Sequence, residues 1–357
     1  MEEVRVTSWA HLDEQLYAES WFQPHGRFRS PYVFRGVAAA GSDLKTCLMR
    51  LGGHYGELED DLLRNFRKYA HREAAPGGSW WNWLAVAQHH GLPTRLLDWT
   101  FSPFVALHFA TADFSLFAAD AAVWAVDCIA VQEFLPEKLR EILKQEGATV
   151  FSAEMLDRYA GSLADFDRRV REEQGECVVF FEPPSLDERI VNQMALFSMM
   201  SSAEGDLWTW LAQREQKSKR KLYRKIVIPA PLKWEIRDKL DMANVNERVM
   251  FPGLDGLSAW LRRYYSPNNI IEITYLESDG YPHTYPAVIT SISNATMEVT
   301  YHCQREGRRT ARLSTREGSI WWDECRDSAV AVNPEPAAEK TFPANLPGVH
   351  QAGPAQV

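Results

Sequence analysis

The chain lacks what would tie it to an oxidising compartment or a membrane. Its five cysteines, Cys47, Cys128, Cys177, Cys303 and Cys325, include no CxxC pair, which argues against a disulfide framework and a structural zinc site. The N-terminus, MEEVRVTSWAHLDEQL, has acidic residues where a signal peptide needs a basic stretch and an apolar run. No stretch reaches the ~18 apolar residues of a membrane span. The expected setting is a soluble, cytoplasmic protein with no membrane partner.

Positive charge is also scarce. Lys and Arg number 39 against 48 Asp and Glu, a net charge of −9, so contact with a polyanion would need a local basic patch. The phosphate loops GxGxxG and GxxxxGK, the GxSxG elbow and the HExxH pair are all missing, which weakens Rossmann dehydrogenase, nucleoside triphosphatase and zincin readings. His89 and His90 are adjacent, and neighbours on a helix point ~100° apart. With no second ligand pair at helical spacing, no metal centre is expected.

What remains is an ordinary globular composition, 45% hydrophobic and 12% aromatic, in 357 residues. That length suits one large domain with a smaller satellite. The patterning predicts a helix over 5–18, a strand at Tyr32–Val37 and a helix at Leu58–Arg72. A Trp-rich helix capped by Ser79 and stopped by Gly91 should follow, with Trp80, Trp81 and Trp83 in its core. Thr94–Thr100 reads as a strand or extended turn, and Ser102-Pro103 opens a buried helix. Strands are expected at Ala121–Ile129, Cys177–Phe181, Gln193–Met200 and Leu222–Ile228. Residues 131–173 read as helical. Two more helices are expected, Pro231–Asp241 and Leu257–Tyr265, the second capped by Asp255.

Past Asn268 the texture changes to four short strands, Ile270–Leu276, Ala287–Ile292, Met297–His302 and Thr310–Ser314, with turn residues between them. The expected organisation is an N-terminal helical extension over 1–29, a main domain over 30–266, a small β-barrel-like domain over 267–330 and a disordered, Ala- and Pro-rich tail over 331–357.

The informative residues are Phe34-Arg35-Gly36 and the block Gln88–Ala110, QHHGLPTRLLDWTFSPFVALHFA. Together with Arg189-Ile190, Gln193, Leu196-Phe197 and FPGLDGL at Phe251–Leu257, they resemble the FRG domain family over roughly residues 30 to 265. The order of features is also similar to the ADP-ribosyltransferases: Arg-Gly on a first strand, then a Ser/Thr cluster opening a helix of the form SxxxALxFA. That second resemblance implies an α+β core, a mixed sheet with flanking helices, followed here by an SH3-like or Tudor-like barrel.

It also implies NAD as a bound substrate, with no metal. Arg35 would clamp a phosphate or the nicotinamide side, with Gly36 beside it. Thr100 and Ser102 would shape the ribose site, and Trp99 and Phe101 would be available for stacking. The transferases carry a Glu on a later strand; the matching segment here is Asn192-Gln193-Met194-Ala195. Gln193 would contact a ribose hydroxyl but carries no charge, and Glu188 or Glu247 would have to supply the carboxylate. The implied activity is ADP-ribosyl transfer to nucleic acid or protein, or NAD hydrolysis, in a bacterial defence or toxin setting. The alternative is a non-catalytic nucleotide or RNA sensor whose C-terminal domain binds a partner.

Plainer roles stand beside these. Arg35 can be a buried partner of Asp98, Ser102 a helix cap, Thr100 a turn hydrogen bonder and Gln193 a strand-end residue. Asp98, if buried, needs Arg95 or Arg35. The basic run Arg214, Lys217, Lys219, Arg220, Lys221, Arg224 and Lys225 reads as a solvated hairpin before it reads as a nucleic-acid surface. The cluster Arg305, Arg308, Arg309 and Arg312 in the small β domain would tilt a partner towards nucleic acid or an acidic protein.

Overall fold

Alternation along Tyr32–Val37 puts Tyr32, Phe34 and Gly36 on one face and Val33, Arg35 and Val37 on the other, and the fold is built around that strand. The computed structural model describes residues 3–70, 77–185, 187–218, 220–266, 270–276, 282–292, 296–303, 307–316 and 319–322.

In chain order these form β1 (Glu3–Arg5), α1 (Trp9–Tyr17), β2 (Trp21–Phe22), β3 (Arg27–Phe28), β4 (Tyr32–Val37), α2 (Tyr55–Ala70), α3 (Trp80–His89), β5 (Leu96–Thr100) and α4 (Pro103–Ala110). Then come β6 (Ala121–Asp127), α5 (Glu137–Glu146), β7 (Phe151–Ser152), α6 (Ala153–Tyr159), α7 (Leu163–Glu173), β8 (Val178–Glu182), α8 (Glu188–Asn192) and β9 (Ala195–Met200). The first unit closes with α9 (Leu207–Ser218), β10 (Tyr223–Ile228), α10 (Lys233–Met242), α11 (Glu247–Met250) and α12 (Leu254–Tyr264). Residues 1–266 form this unit and residues 267–357 a second.

The first unit is a mixed eight-stranded sheet flanked by helices, in the order β1-β10-β6-β4-β5-β9-β8-β7. Only the outer pairs, β1 with β10 and β7 with β8, are parallel. On one face α1, α4 and α10 cover β4, β6 and β10 through Leu12, Leu16, Phe34, Ala106, Leu107, Ile226 and Ile236. On the same face, further along, α3, α5, α6 and α7 cover β5, β8 and β9 around Trp81, Leu96, Phe166, Phe181 and Phe197. The opposite face buries Val33, Trp99, Trp124 and Phe180 against Trp210 and Leu211 of α9.

Helix ends follow local chemistry. Ser79 and Ser102 cap α3 and α4 by accepting the N–H groups of Asn82 and Val105. Gly91, at φ +80°, ends α3: its own N–H bonds Gln88 and the Leu92 N–H bonds Ala87, which satisfies two late carbonyls.

Several boundaries differ from expectation. Arg5, the first residue of the predicted first helix, belongs instead to an edge strand, Glu3–Arg5, on β10, and the helix begins at Trp9 after its Ser8 cap. The strand expected from Gln193 begins at Ala195, since Asp187 caps a short helix that consumes Glu188–Asn192 and leaves Gln193 as its C-cap. Helix α12 starts after Gly253, so Asp255 lies in the first turn, where its charge opposes the helix dipole's positive end, rather than at the cap.

The second unit is a small antiparallel sheet, β11 (Ile270–Leu276), β12 (Pro282–Ile292), β13 (Thr296–Cys303), β14 (Gly307–Arg316) and β15 (Ser319–Trp322), paired in chain order. The fifth strand was not expected. The sheet is open among the described residues, not the closed SH3-like or Tudor-like barrel: turn residues specify hairpins between successive strands and carry no information about pairing the first with the last. Arg305, the side chains of Arg308 and Arg312, and the tail over 331–357 lie outside the described residues.

Candidate functional site

Strand register builds the site. Phe34 pairs with Thr100, Thr100 with Ala195, and Asp98 with Phe197, so these side chains share one sheet face. That is the face covered by α4 on one side and α3 on the other. Between the two helices a cavity of about 660 Å³ opens, lined by Phe34, Gly36, Asp98, Thr100, Ala195 and Phe197 from the sheet. Its volume falls in the range of small-molecule sites.

Strands β4 and β5 share one register pair, Phe34 with Thr100, and part beyond it. Arg35 points by alternation to the other face, yet its Nη1 donates across the gap to the Asp98 main-chain oxygen at 2.6 Å and lies 3.8 Å from the Asp98 carboxylate. Its Nε is buried with no hydrogen-bond partner among the described residues. Burial lowers the guanidinium pKa from its ordinary value, with Asp98 acting against that shift. Asp98 is a carboxylate 60% exposed, held by Gln88 Nε2 at 2.9 Å.

The helix side supplies imidazoles and a second guanidinium. His89 and His90 stand at the end of α3, edge to face at 5.2 Å. His89 Nε2 is 2.7 Å from Asp187 Oδ2, while Asp187 Oδ1 accepts the Ile190 N–H at 3.0 Å as the cap of α8. Burial pushes the Asp187 carboxyl up, but the Ile190 N–H and His89 outweigh it and hold the group below the usual carboxylate range. Arg189 lies over the Phe251 ring at 5.0 Å, and its Nε, like that of Arg35, is buried without a partner among the described residues. Arg35, His89, His90 and Arg189 all line the cavity.

The other predicted residues divide. Thr100 lines the cavity, but its hydroxyl donates to the Gln193 oxygen at 2.7 Å and accepts the Ser102 N–H. Gln193 lines it too, with its amide donating to the Met250 oxygen at 2.9 Å. Gly36 lines it at the point where α4 crosses the strand. Ser102 caps α4 and Phe101 packs on the opposite core, both outside the lining.

Trp99 is among the residues lining the cavity, but its indole packs in that opposite core, donating to Ser198 Oγ at 2.8 Å and edge-on to Phe180. Glu188 borders a neighbouring groove instead. Glu247 is buried between Arg237 and Arg263, and although burial raises its carboxyl, those two arginines bring it down to about 2. Asp98 pairs with Arg35 and not with Arg95, which Glu59 and Asp167 hold in a buried triad.

Residues 30–117 match the family model of the FRG domain. The chain carries an FRG domain. The matched segment supplies Arg35, Gly36, the end of α3 and β5, and the remaining walls of the cavity come from α8, its C-cap Gln193, and β9. Nothing among curated proteins or solved structures matches the chain.

Within and around the FRG domain, sequence reasoning passed over the site roles of Gln88, His89, Asp187 and Arg189. The signal that could have marked them is the His pair directly before the glycine that stops α3, where the helix end brings two imidazoles to the cavity. Among the described residues no cluster suited to a metal ion is present, and no helix is long and apolar enough to cross a membrane.

Several members of the basic run are engaged within the fold. Arg220 bonds Glu133, Lys225 bonds Glu3, Arg214 lies over Phe134 and Trp210, and Arg224 is buried over Tyr32.

Proposed function

We propose that the FRG-domain cleft binds an NAD-type dinucleotide, with its pyrophosphate between Arg35 and Arg189. The observation that carries this reading is that Arg35 and Arg189, each with a buried Nε–H unpartnered among the described residues, both line one cavity. A buried donor without an acceptor costs about 1–3 kcal/mol, and an anionic oxygen is the partner that offsets most of it. The cavity also offers the Asp98 carboxylate, and the Phe34, Ile190 and Phe197 side chains for the flat rings of a nucleotide.

Support for the likeness to ADP-ribosyltransferases comes from adjacency. The Arg35 strand, the Thr100 strand and the strand opened by Ala195 are neighbours and in register. Ala195 stands where that likeness would place an acid, and Glu188 and Glu247 are placed elsewhere, so binding is the primary reading. Turnover at the nicotinamide–ribose bond is a second reading, favoured by Asp98: an exposed, oriented carboxylate in the same cavity is the charge an oxocarbenium-like transition state requires.

Calorimetry with NAD, ADP-ribose, AMP and adenosine tests the reading. NAD and ADP-ribose should bind, AMP roughly tenfold or more weakly, and adenosine without measurable heat, since charge-assisted bonds to phosphate carry the affinity. Adenosine binding as tightly as NAD, or no binding by any of the four, would overturn it.

A further inference from the structure

His89 stands where two depressions meet. The cavity between α3 and α4 and a second groove of about 700 Å³, bounded by Asp187, Phe251, Asp255 and Ala259, share His89, His90 and Arg189 on a common rim. The His89 side chain is 12% exposed and held through Nε2 by Asp187 Oδ2 at 2.7 Å. Asp187 is itself fixed, because its other oxygen accepts the Ile190 N–H. A carboxylate on Nε2 assigns the proton to that nitrogen and leaves the lone pair on Nδ1. Among the described residues no hydrogen bond occupies Nδ1. An imidazole oriented by a carboxylate, with its second nitrogen free, is the arrangement of a general base.

We infer that His89, oriented by Asp187, is the base that takes the proton from a hydroxyl nucleophile entering through the second groove to attack the ribose of a dinucleotide held in the first. The inference rests on the nucleotide reading of the cleft and adds chemistry to it. The nucleophile's oxygen bonds the anomeric carbon. The carbon–nitrogen bond to nicotinamide breaks, and its electron pair returns to the pyridinium ring. The hydroxyl proton passes to His89 Nδ1 and then to solvent. The products are nicotinamide, ADP-ribose attached to the nucleophile's oxygen, and one proton, and nothing is oxidised or reduced. Asp98 provides the negative charge facing the ribose as positive charge develops there.

The test measures nicotinamide release from NAD by the full chain, its His89→Asn, His89→Gln and Asp187→Asn variants, and NAD affinity of each by calorimetry. Melting curves confirm that each variant folds, and the two His89 variants keep the question open should one of them fail to. Release should fall roughly a hundredfold in the His89 variants and at least about tenfold in Asp187→Asn. NAD affinity should stay within about threefold.

Added methanol distinguishes the source of the hydroxyl: ADP-ribose alone marks water, and methyl ADP-ribose marks a groove open to acceptor hydroxyls. A wild-type chain that binds NAD and releases no nicotinamide overturns this inference and leaves the binding reading standing. A chain that binds no NAD overturns both. Release that survives in the His89 variants, or affinity that falls in parallel with release, overturns the assignment of His89 as the base.

Discussion

Arg35→Ala should weaken NAD binding by about thirty- to 150-fold, the roughly 2–3 kcal/mol expected when one member of a partly buried charge-assisted contact is truncated. Arg35→Lys should recover only part of the loss, because an ammonium keeps the charge without the planar fork that presents Nε and Nη together. Arg189→Ala should cost a similar amount. If one pyrophosphate bridges both guanidinium groups, the double variant will be non-additive, with a coupling of about 0.5 kcal/mol or more. Strict additivity would place the two arginines on separate ligand groups.

Arg35 also ties β5 to β4 through the Asp98 carbonyl at 2.6 Å, so melting curves belong beside the titrations. A variant that loses stability but keeps NAD affinity would make Arg35 a structural bridge only, the plainer of the two roles its sequence position allows.

Gly36→Ala is the substitution with the largest expected effect on folding. A Cβ at Gly36 would lie 1.8 Å from the Ala106 oxygen and 2.6 Å from the Ala110 nitrogen, both backbone atoms of α4, which cannot rotate away as a side chain can. Helix α4 must shift off β4, and the cluster of Phe34, Ala106, Leu107 and Ala110 opens with it. The expected cost is about 3 kcal/mol or more. That corresponds to a melting temperature lower by roughly 6–12 °C, at 2–4 °C per kcal/mol for a unit of this size. An alanine variant with an unchanged melting temperature would contradict the close helix–strand approach. The glycine after Arg35 is therefore required by packing, whatever the cavity holds.

Much of the frame around the cleft was legible in the sequence because the signals are local. Ser79, Gly91, Ser102 and Pro103 mark helix ends by hydrogen bonding and backbone geometry, and the apolar runs at Tyr32–Val37 and Ala121–Ile129 mark central strands. Residues close to one another in the chain, Arg35 with Gly36 and Asp98 with Thr100, were also legible as a group.

Less legible was anything set by pairing at long range. Which face Trp99 takes depends on the register of β5 against β9, so a residue beside Thr100 in sequence is on the far side of the sheet in space. Gln193 moved from strand to helix cap because of Asp187, six residues earlier, whose side chain decides how the chain enters β9. Asp187 and Arg189 meet His89 and Arg35 only after the chain has crossed the sheet, and no periodicity announces such a meeting. Glu247 could be judged only once Arg237 and Arg263 were seen to enclose it.

The most direct test of the central claim is a crystal structure of the chain with an NAD analogue whose nicotinamide–ribose bond cannot be cleaved. Pyrophosphate oxygens should lie within about 3.2 Å of the Arg35 and Arg189 guanidinium groups, in the cavity between α3 and α4. An analogue bound elsewhere, or that cavity left unfilled at concentrations that saturate NAD binding in solution, would contradict it.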